Sequence, residues 1–402
     1  MNKKAMLITV GTGRNREDIA SAICYSIRNQ NPDFVRFLTT GKTKPETMPH
    51  VRDDPVMNGR DYDCVEIGDE NDVEAIYAQC SRAIEEVMNK GYEVSVDYTS
   101  GTKAMSAGLC LAAVSKKVNS LIYITGKRDE TGRVNPGTER VLPLSPTIVY
   151  IDQERNLFKE LFNLYQFEAC ISIARDVRKR FPLPELQEEW GFLEGLATAY
   201  SAWDKFDLKE ARKQLKELGK SQYLSKYHLE EKIERHAKVL HKANDPYSPE
   251  RIANLLQNAK RRKKEGKFDD AVARCYRSME YLAQYKLYKA HGRIRTGNNF
   301  EPNKIKDPSI RDKYKDKKNL PLKDAYELLN DLRDPLGETF KKERTTGELE
   351  FLDKRNRSIL AHGFDPIGQE VCEKGLKVIE IYIRKIIPNP DEIEKEVTFP
   401  EL

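Results

Sequence analysis

Residues 93–117, EVSVDYTSGTKAMSAGLCLAAVSKK, contain the strand, loop and helix that decide the fold of the first part of the chain. EVSVD predicts a strand that runs into the polar loop YTSGT, and KAMSAGLCLAAVSKK has the pattern of a helix. The following segment, NSLIYITG, is again a strand pattern. A strand, a helix and a second strand in this order form the repeating unit of a parallel sheet.

The same alternation extends over the first 150 residues. Further strand patterns are AMLITV, DFVRFLTT and DYDCVEIG, and further helical patterns are REDIASAICYSIRNQ and NDVEAIYAQCSRAIEEVMNKG. Strands separated by helices of this length imply parallel pairing and a doubly wound sheet. We therefore predict an α/β domain with a Rossmann-like parallel sheet over residues 1–151.

The strand patterns stop at about Asp152, and amphipathic helical patterns follow. Pro246 and Pro249, in the turn DPYSPE, discourage helix continuation and mark a plausible boundary. We predict an all-α remainder in two parts, a helical connector over residues 152–246 and a helical bundle over 247–402. Within the bundle, ELEFLDKRNRSILAHG predicts one helix that ends at Gly363.

The composition is that of a polar, helix-rich protein, with 33% charged and 39% hydrophobic residues among 402. The longest apolar run, Leu109–Val114, is far shorter than the ~20 residues that a membrane span needs. The N-terminus, MNKKAMLITVGTG, lacks the apolar core and cleavage site of a signal peptide. We expect no membrane partner and a cytoplasmic location.

Neither the cysteines nor the histidines predict a metal site. The seven cysteines lie far apart without a CxxC pair, so we interpret them as small buried residues in a reducing compartment. His228, His236 and His241 lie in a polar helical pattern without a nearby cysteine. We predict no metal and no cofactor.

Positive charge is concentrated in one part of the chain. Residues 250–320 contain 20 Lys and Arg against 9 Asp and Glu, whereas residues 1–150 contain 19 against 20. The basic part includes KRRKK at 260–264, and a polyanion would be attracted there. A charge run alone is more often a solvated helix face.

Two loops follow predicted strands of the sheet and are candidate ligand sites. They contain Gly11, Thr12, Gly13 and Arg14 in the first loop, and Ser100, Gly101, Thr102 and Lys103 in the second. Ligands of open parallel sheets bind outside the carboxyl ends of the strands. Glycine lets backbone amides approach an anion, the hydroxyls of Thr99, Ser100 and Thr102 offer donors, and a helix N-terminus follows. These features predict a phosphate-bearing ligand. Neither loop has the dinucleotide fingerprint or the GxxxxGK[ST] spacing, so NAD binding and ATP hydrolysis are not supported.

The segment DKRNRSILAHGF, residues 353–364, contains a candidate catalytic pair. Arginine offers a permanent charge and a fork of donors for phosphate, and histidine titrates near neutrality. Because RNA supplies its own 2′-hydroxyl nucleophile, such a pair could cleave it without a metal. On one helix Arg355 and His362 differ by about 20° and share a face, whereas Arg357 is about 140° from His362.

We therefore predict Arg355 and His362 as the primary pair. The competing interpretation is a histidine that is favourable at a helix C-terminus, beside exposed arginines. Arg235 and His241 have similar spacing in a polar helix, and we interpret them as surface residues. Tyr281, Tyr285 and Tyr288 have helical spacing that favours a core or interface over an RNA-stacking platform.

The segments TVGTGR, DYTSGTKAMSAGL, YRSMEYLAQYKL and RNRSILAHG together resemble the CRISPR-associated CARF–HEPN ribonucleases of type III systems. The resemblance spans nearly the whole chain, with residues 155–245 matched only as connecting helices. It implies a CARF domain at the N-terminus and a HEPN domain at the C-terminus.

In such proteins the CARF domain dimerises and binds a cyclic oligoadenylate, and the HEPN domain is a metal-independent endoribonuclease with an active site between two protomers. The resemblance implies that residues 11–14 and 100–103 line the messenger pocket of a homodimer that cleaves single-stranded RNA in antiviral defence. It implies catalytic roles for Arg355 and His362, with Asn356 as their polar neighbour and Arg357 as second choice, because the spacing from Arg357 to His362 is also used by the family. Ring size and RNA base preference are not readable from these residues.

Two other functions remain open at the level of the sequence. The chain could be a non-catalytic sensor that binds messenger with its first domain and RNA or protein with its helical bundle. Alternatively, the CARF domain could itself cleave the messenger ring, with Ser100, Thr102 or Lys103 positioning a linkage.

Overall fold

The computed structural model describes residues 3–13, 15–127, 130, 134 and 137–402. The chain divides into two compact units, Met1–Arg155 and Asn156–Leu402. Within the described residues, no helix has the length and apolarity that a membrane crossing requires.

The first unit contains one six-stranded sheet. Its strands are β1 (Lys4–Thr9), β2 (Phe34–Thr39), β3 (Asp61–Glu66), β4 (Glu93–Asp97), β5 (Ser120–Thr125) and β6 (Arg140–Leu144). Its helices are α1 (Arg16–Gln30), α2 (Thr43–Glu46), α3 (Met48–Arg52), α4 (Val73–Asn89) and α5 (Lys103–Ser115), and α6 (Thr147–Asn163) continues into the second unit. The strand order is β3-β2-β1-β4-β5-β6.

The five strands predicted from the sequence are parallel, and both faces of the sheet are covered by apolar residues. Met6 and Ile8 of β1 pack with α1 on one face, and Ala5 and Leu7 pack with α4 and α5 on the other. This arrangement confirms the doubly wound sheet. The sequence did not predict β6, which pairs antiparallel with β5 and is mostly exposed. RVLPL has no alternation of buried and exposed positions, so it lacks the signal that identifies a strand.

The second unit is entirely helical within the described residues, as predicted. It contains α7 (Phe167–Arg180), α8 (Pro184–Asp204), α9 (Leu208–Leu218), α10 (Tyr223–Lys226), α11 (Glu230–Lys242), α12 (Pro249–Lys264), α13 (Phe268–Ala290), α14 (Pro308–Tyr314), α15 (Leu322–Asp331), α16 (Pro335–Thr346), α17 (Glu350–Asn356), α18 (Gln369–Ile386) and α19 (Pro390–Glu396). The helices from α12 to α18 enclose one apolar core. The predicted domain limits at residues 151 and 246 stay predictions.

Candidate functional site

The two candidate ligand loops meet at the carboxyl edge of the sheet. The loop with Gly11 follows β1, the loop with Gly101 follows β4, and β1 and β4 are adjacent parallel strands. From β1 the chain passes to β2 and β3 on one side, and β4 and β5 lie on the other. This reversal is the switch point at which open α/β sheets bind ligands.

The loops approach each other backbone to backbone. The hydroxyl of Thr9 donates to the carbonyl oxygen of Ser100, and the hydroxyl of Ser100 donates to the carbonyl oxygen of Thr9. A Cβ at Gly11 would lie 2.6 Å from the amide nitrogen of Gly101, whose φ is +97°. Only glycine at position 11 fits this approach of the two loop backbones.

The predicted hydroxyl donors, however, are used within the chain. Besides the Ser100 hydroxyl, Thr102 Oγ1 donates to the carbonyl oxygen of Glu70 at 2.7 Å and caps α5 by accepting from the Met105 amide at 3.1 Å. Thr99 Oγ1 accepts from the Ile124 amide at 2.8 Å. The expectation of free hydroxyl donors is therefore wrong for Ser100 and Thr102, whereas the cited contact of Thr99 uses its oxygen as an acceptor. The compact loop needs them for its own backbone.

An anion could still be held by the other groups of this edge. Thr12, Gly13 and Lys103 are at least partly exposed, and the first amides of α5 have no intrahelical acceptor. Arg14 lies outside the described residues. Sequence reasoning missed Thr9, whose hydroxyl donates to the Ser100 carbonyl oxygen. It also missed Thr47, whose hydroxyl donates to the Gly11 carbonyl oxygen at 3.0 Å. Their partners are distant in sequence, so no local pattern identifies them.

A buried carboxyl group supports the second loop. Asp97, the last residue of β4, is 2% exposed, and its Oδ1 accepts from the Thr99 amide at 2.8 Å. Burial raises the pKa of this carboxyl above its usual value, although the hydrogen bond from Thr99 opposes the change. The loop conformation therefore depends on a residue inside the sheet.

In the second unit, the helix that carries Arg355 is shorter than predicted. α17 ends at Asn356 with Arg357 as its C-cap, and the chain then folds into a turn that reaches Gly363. The buried Ser358 donates its hydroxyl to the Arg355 carbonyl oxygen at 2.9 Å and its amide to the same oxygen at 3.1 Å. This local bonding competes with helix continuation. The predicted helix up to Gly363 is wrong.

The turn returns His362 to the end of α17. The His362 amide donates to the Asn356 carbonyl oxygen at 3.2 Å, and the Gly363 amide donates to the Ser358 carbonyl oxygen at 3.3 Å. A Cβ at Gly363 would lie 2.1 Å from the Arg357 carbonyl oxygen, so glycine is required there. Arg355 and His362 are therefore kept close by a turn, and the shared helix face from which we paired them does not exist.

The apolar residues of this segment are only partly buried. Phe351 and Leu352 lie in the core, but Ile359 and Leu360 are 66% and 44% exposed. Phe364 is 90% exposed beside them. His362, Asn356 and Arg357 are exposed, whereas Arg355 is half-buried.

The two candidate arginines differ in their partners. The Arg355 guanidinium lies 4.4 Å from the ring centroid of Tyr276 on α13, and its Nη1 donates to Asn356 Oδ1 at 3.3 Å. Arg357 Nε instead lies 3.9 Å from Asp365 Oδ2. Arg355 therefore keeps an uncompensated charge in this turn, while Arg357 has an acidic neighbour.

Four of the five cations of the basic stretch KRRKK are paired with carboxylates of the chain. Arg261 is 3% exposed, and its guanidinium lies 3.8 Å from the Phe399 ring centroid and 2.8 Å from Asp204. Arg262 also pairs with Asp204, and Lys260 and Lys263 pair with carboxylates of α18. These four cations join helices of the unit, and the attraction of a polyanion to residues 250–320 stays a prediction.

Of the other residues considered in the sequence, His236 and Tyr281 lie in the core, whereas Arg235 and His241 lie at the surface. His236 is buried between the hydroxyl of Tyr200, 2.7 Å from its Nδ1, and the Thr398 carbonyl oxygen, 3.1 Å from its Nε2. Arg235 and His241 are exposed, which confirms their interpretation as surface residues. Tyr281 is buried in the core, as predicted.

Comparisons with known proteins match most of the chain. Residues 150–245 match the family model described as the Csm6 6H domain, and residues 241–385 match the Csm6 HEPN domain. The CRISPR system endoribonuclease Csm6 of Thermus thermophilus is 30% identical over 280 residues, which are 64% of this chain. The matched part spans 56% of that relative's length.

A solved structure has a similar fold over nearly the full length. It is described as Enterococcus italicus Csm6 bound to cyclic hexa-2′-fluoro-hexa-dAMP, with a TM-score of 0.59 and 15% identity. The likeness covers 98% of this chain and 99% of that one. At this identity it establishes the fold alone: a mostly parallel sheet unit followed by helical domains.

Proposed function

We propose that this chain, which belongs to the Csm6 family through its 6H and HEPN domains, is a CRISPR endoribonuclease activated by a cyclic oligoadenylate. The observation that carries the proposal is the turn after α17. It holds His362 against Asn356 through a backbone hydrogen bond and leaves the Arg355 guanidinium without a carboxylate partner among the described residues.

The proposed chemistry uses the 2′-hydroxyl of single-stranded RNA as the nucleophile and requires no metal. His362 would transfer a proton at the 2′-oxygen or the 5′-leaving oxygen. Arg355 would stabilise the charge that develops on the phosphoryl oxygens, with Asn356 as a polar neighbour and Arg357 as an outer cation. The exposure of His362 suits a base that must reach a large substrate.

We propose that the active form is a homodimer. Ile359, Leu360 and Phe364 are large, exposed and adjacent to His362 in sequence, and exposed apolar groups of this kind favour a protein interface. A second copy that covers them would bring two such turns together. Phe364→Asp should therefore shift the molar mass in light scattering towards the monomer.

The activator would bind at the switch point of the sheet, at Gly11, Thr12, Gly13, Arg14 and residues 100–103. The support is chemical: a glycine-lined edge, helix amides and Lys103 suit the phosphates of a cyclic oligonucleotide. Because the hydroxyls of Ser100 and Thr102 bond to the chain's own backbone, they are less suited to cleave the ring.

Cleavage of a labelled single-stranded RNA in EDTA tests this function. We expect the full chain to cleave it when a cyclic oligoadenylate is present, and His362→Ala to bind the messenger equally well without cleaving. Cleavage by His362→Ala would contradict the catalytic assignment. Tight messenger binding without cleavage by the unmodified chain would favour a sensor, and loss of the messenger itself would favour a ring nuclease.

A further inference from the structure

We propose that Tyr276 is a positioning residue that holds the Arg355 guanidinium for phosphate stabilisation, an inference that rests on the proposed function. Tyr276 lies on α13, half-buried against the apolar core, and α13 packs against α17. Its ring centroid is 4.4 Å from the guanidinium carbon of Arg355. This distance is well inside the range of a cation–π contact.

An aromatic ring orients a cation without cancelling its charge. Arg344, nearby in sequence, is held 2.8 Å from Asp353 and so is neutralised by a carboxylate. For Arg355, no carboxylate oxygen lies within 4.0 Å in the part of the chain that the structure describes. A residue that must stabilise negative charge on a phosphoryl group benefits from a neutral support of this kind.

The orientation of Arg355 depends strongly on this ring. Within the chain its only directed polar contact among described residues is the 3.3 Å hydrogen bond from Nη1 to Asn356 Oδ1. Its Nε is shielded from solvent and has no acceptor among those residues. Because one weak hydrogen bond leaves a long side chain several rotamers, the stacked ring supplies the remaining restraint.

The inference also explains why a motif singled out in the sequence contains an aromatic residue. YRSMEYLAQYKL begins with Tyr276, and the later Tyr281 is a core residue whose hydroxyl donates to the Pro246 carbonyl oxygen at 2.5 Å. Tyr276 differs because it is only partly buried and faces the candidate catalytic arginine.

Matched substitutions at position 276 in the full chain test the role of the ring. Tyr276→Phe keeps the aromatic face, and Tyr276→Leu removes it at similar volume. We expect Tyr276→Phe to cleave RNA within about twofold of the unmodified chain. Tyr276→Leu should lose about tenfold in kcat, with KM and the thermal midpoint near those of Tyr276→Phe. If the leucine variant does not fold, Tyr276→Met provides the same comparison.

The possible outcomes distinguish a failure of the positioning role of Tyr276 from a failure of the proposed ribonuclease function. A folded leucine or methionine variant with the kcat of Tyr276→Phe overturns the positioning role while leaving the ribonuclease intact. Equal losses for phenylalanine and leucine also overturn it, because the hydroxyl and not the ring would then matter. An unmodified chain that leaves RNA uncut with every messenger overturns the proposed function itself.

Discussion

At the scale of single residues, the central feature is the distribution of charge in the turn after α17. Arg355 lies on the neutral ring of Tyr276, whereas Arg357 lies 3.9 Å from Asp365. A carboxylate next to a cation lowers its attraction for a phosphate, so the two arginines are unequal even though both are close to His362 in sequence.

We expect Arg355→Ala to lower kcat at least 100-fold and Arg357→Ala by no more than about tenfold, because one electrostatic donor in an active site contributes about 10²–10³. Single-turnover cleavage at saturating RNA measures both. Arg235→Ala, at an exposed position outside the proposed site, is the control and should keep full activity. A larger loss of kcat for Arg357→Ala than for Arg355→Ala would contradict the charge argument.

Gly363 gives a second test at this scale, since a Cβ at this position would lie only 2.1 Å from the Arg357 carbonyl oxygen and the turn could not close as it does. Gly363→Ala should therefore displace His362 and reduce kcat about 100-fold, because small misplacements of catalytic groups are costly. Gly368→Ala is a matched control, as nothing lies within 4 Å of its Cβ position. Equal activity of the two variants would exclude the turn as the positioning device.

The candidate residues could be chosen from the sequence, but their geometry could not. Arg355 and His362 were paired on a helical face that ends at Asn356. Ser358 ends that helix because its hydroxyl donates to the Arg355 carbonyl oxygen. The periodicity of apolar residues does not predict a hydrogen bond of this kind. Their roles stay predictions until activity is measured.

At the scale of secondary-structure elements, α12 is joined to its neighbours by buried ion pairs. Asp204, at the end of α8, accepts from Arg261 Nε and Asn258 Nδ2 and pairs with Arg262. Arg261 is almost fully buried, so its charge depends on this carboxylate and on the Phe399 ring. A count of charges in the sequence could not reveal these partners, which are distant along the chain.

Asp204→Ala should lower the free energy of unfolding by about 3–5 kcal/mol, because it leaves a buried guanidinium unpaired. Urea denaturation of the full chain measures the change. Glu234→Ala removes an exposed pair with Lys238 and should cost no more than about 0.5 kcal/mol. If the free energy of unfolding falls by the same small amount in both variants, the buried network does not stabilise the unit.

At the scale of the whole molecule, the sequence predicted a parallel sheet unit followed by helices, because strands and amphipathic helices each have a recognisable pattern of apolar residues. It missed the antiparallel β6, which has no burial pattern, and the helices α14 and α16. The placement of both loops at the carboxyl edge of the sheet followed from the predicted parallel strands, whereas the strand order and the use of the loop hydroxyls did not, because both depend on partners distant in sequence.

The stability of the molecule should depend on pH through His236, whose pKa is lowered to about 3 by burial. Between that value and the unfolded value of about 6.5, the unfolded chain binds the proton more strongly, so stability falls as the pH falls. At pH 5 the loss from this group is roughly 2 kcal/mol. Urea denaturation measures the free energy of unfolding at pH 7.5 and at pH 5. The difference between the two pH values should be smaller for His236→Gln than for the exposed control His241→Gln. Equal differences would contradict the assignment.

The most direct test of the account measures RNA cleavage as a function of messenger, because differential binding at the switch point must change the activity of a turn that belongs to the other unit. Cyclic oligoadenylates of four and six units are titrated against the full chain in EDTA. We predict that one ring size raises the cleavage rate saturably and that Lys103→Glu shifts the midpoint to higher concentration. A rate that is the same with every ring and without any would contradict the account.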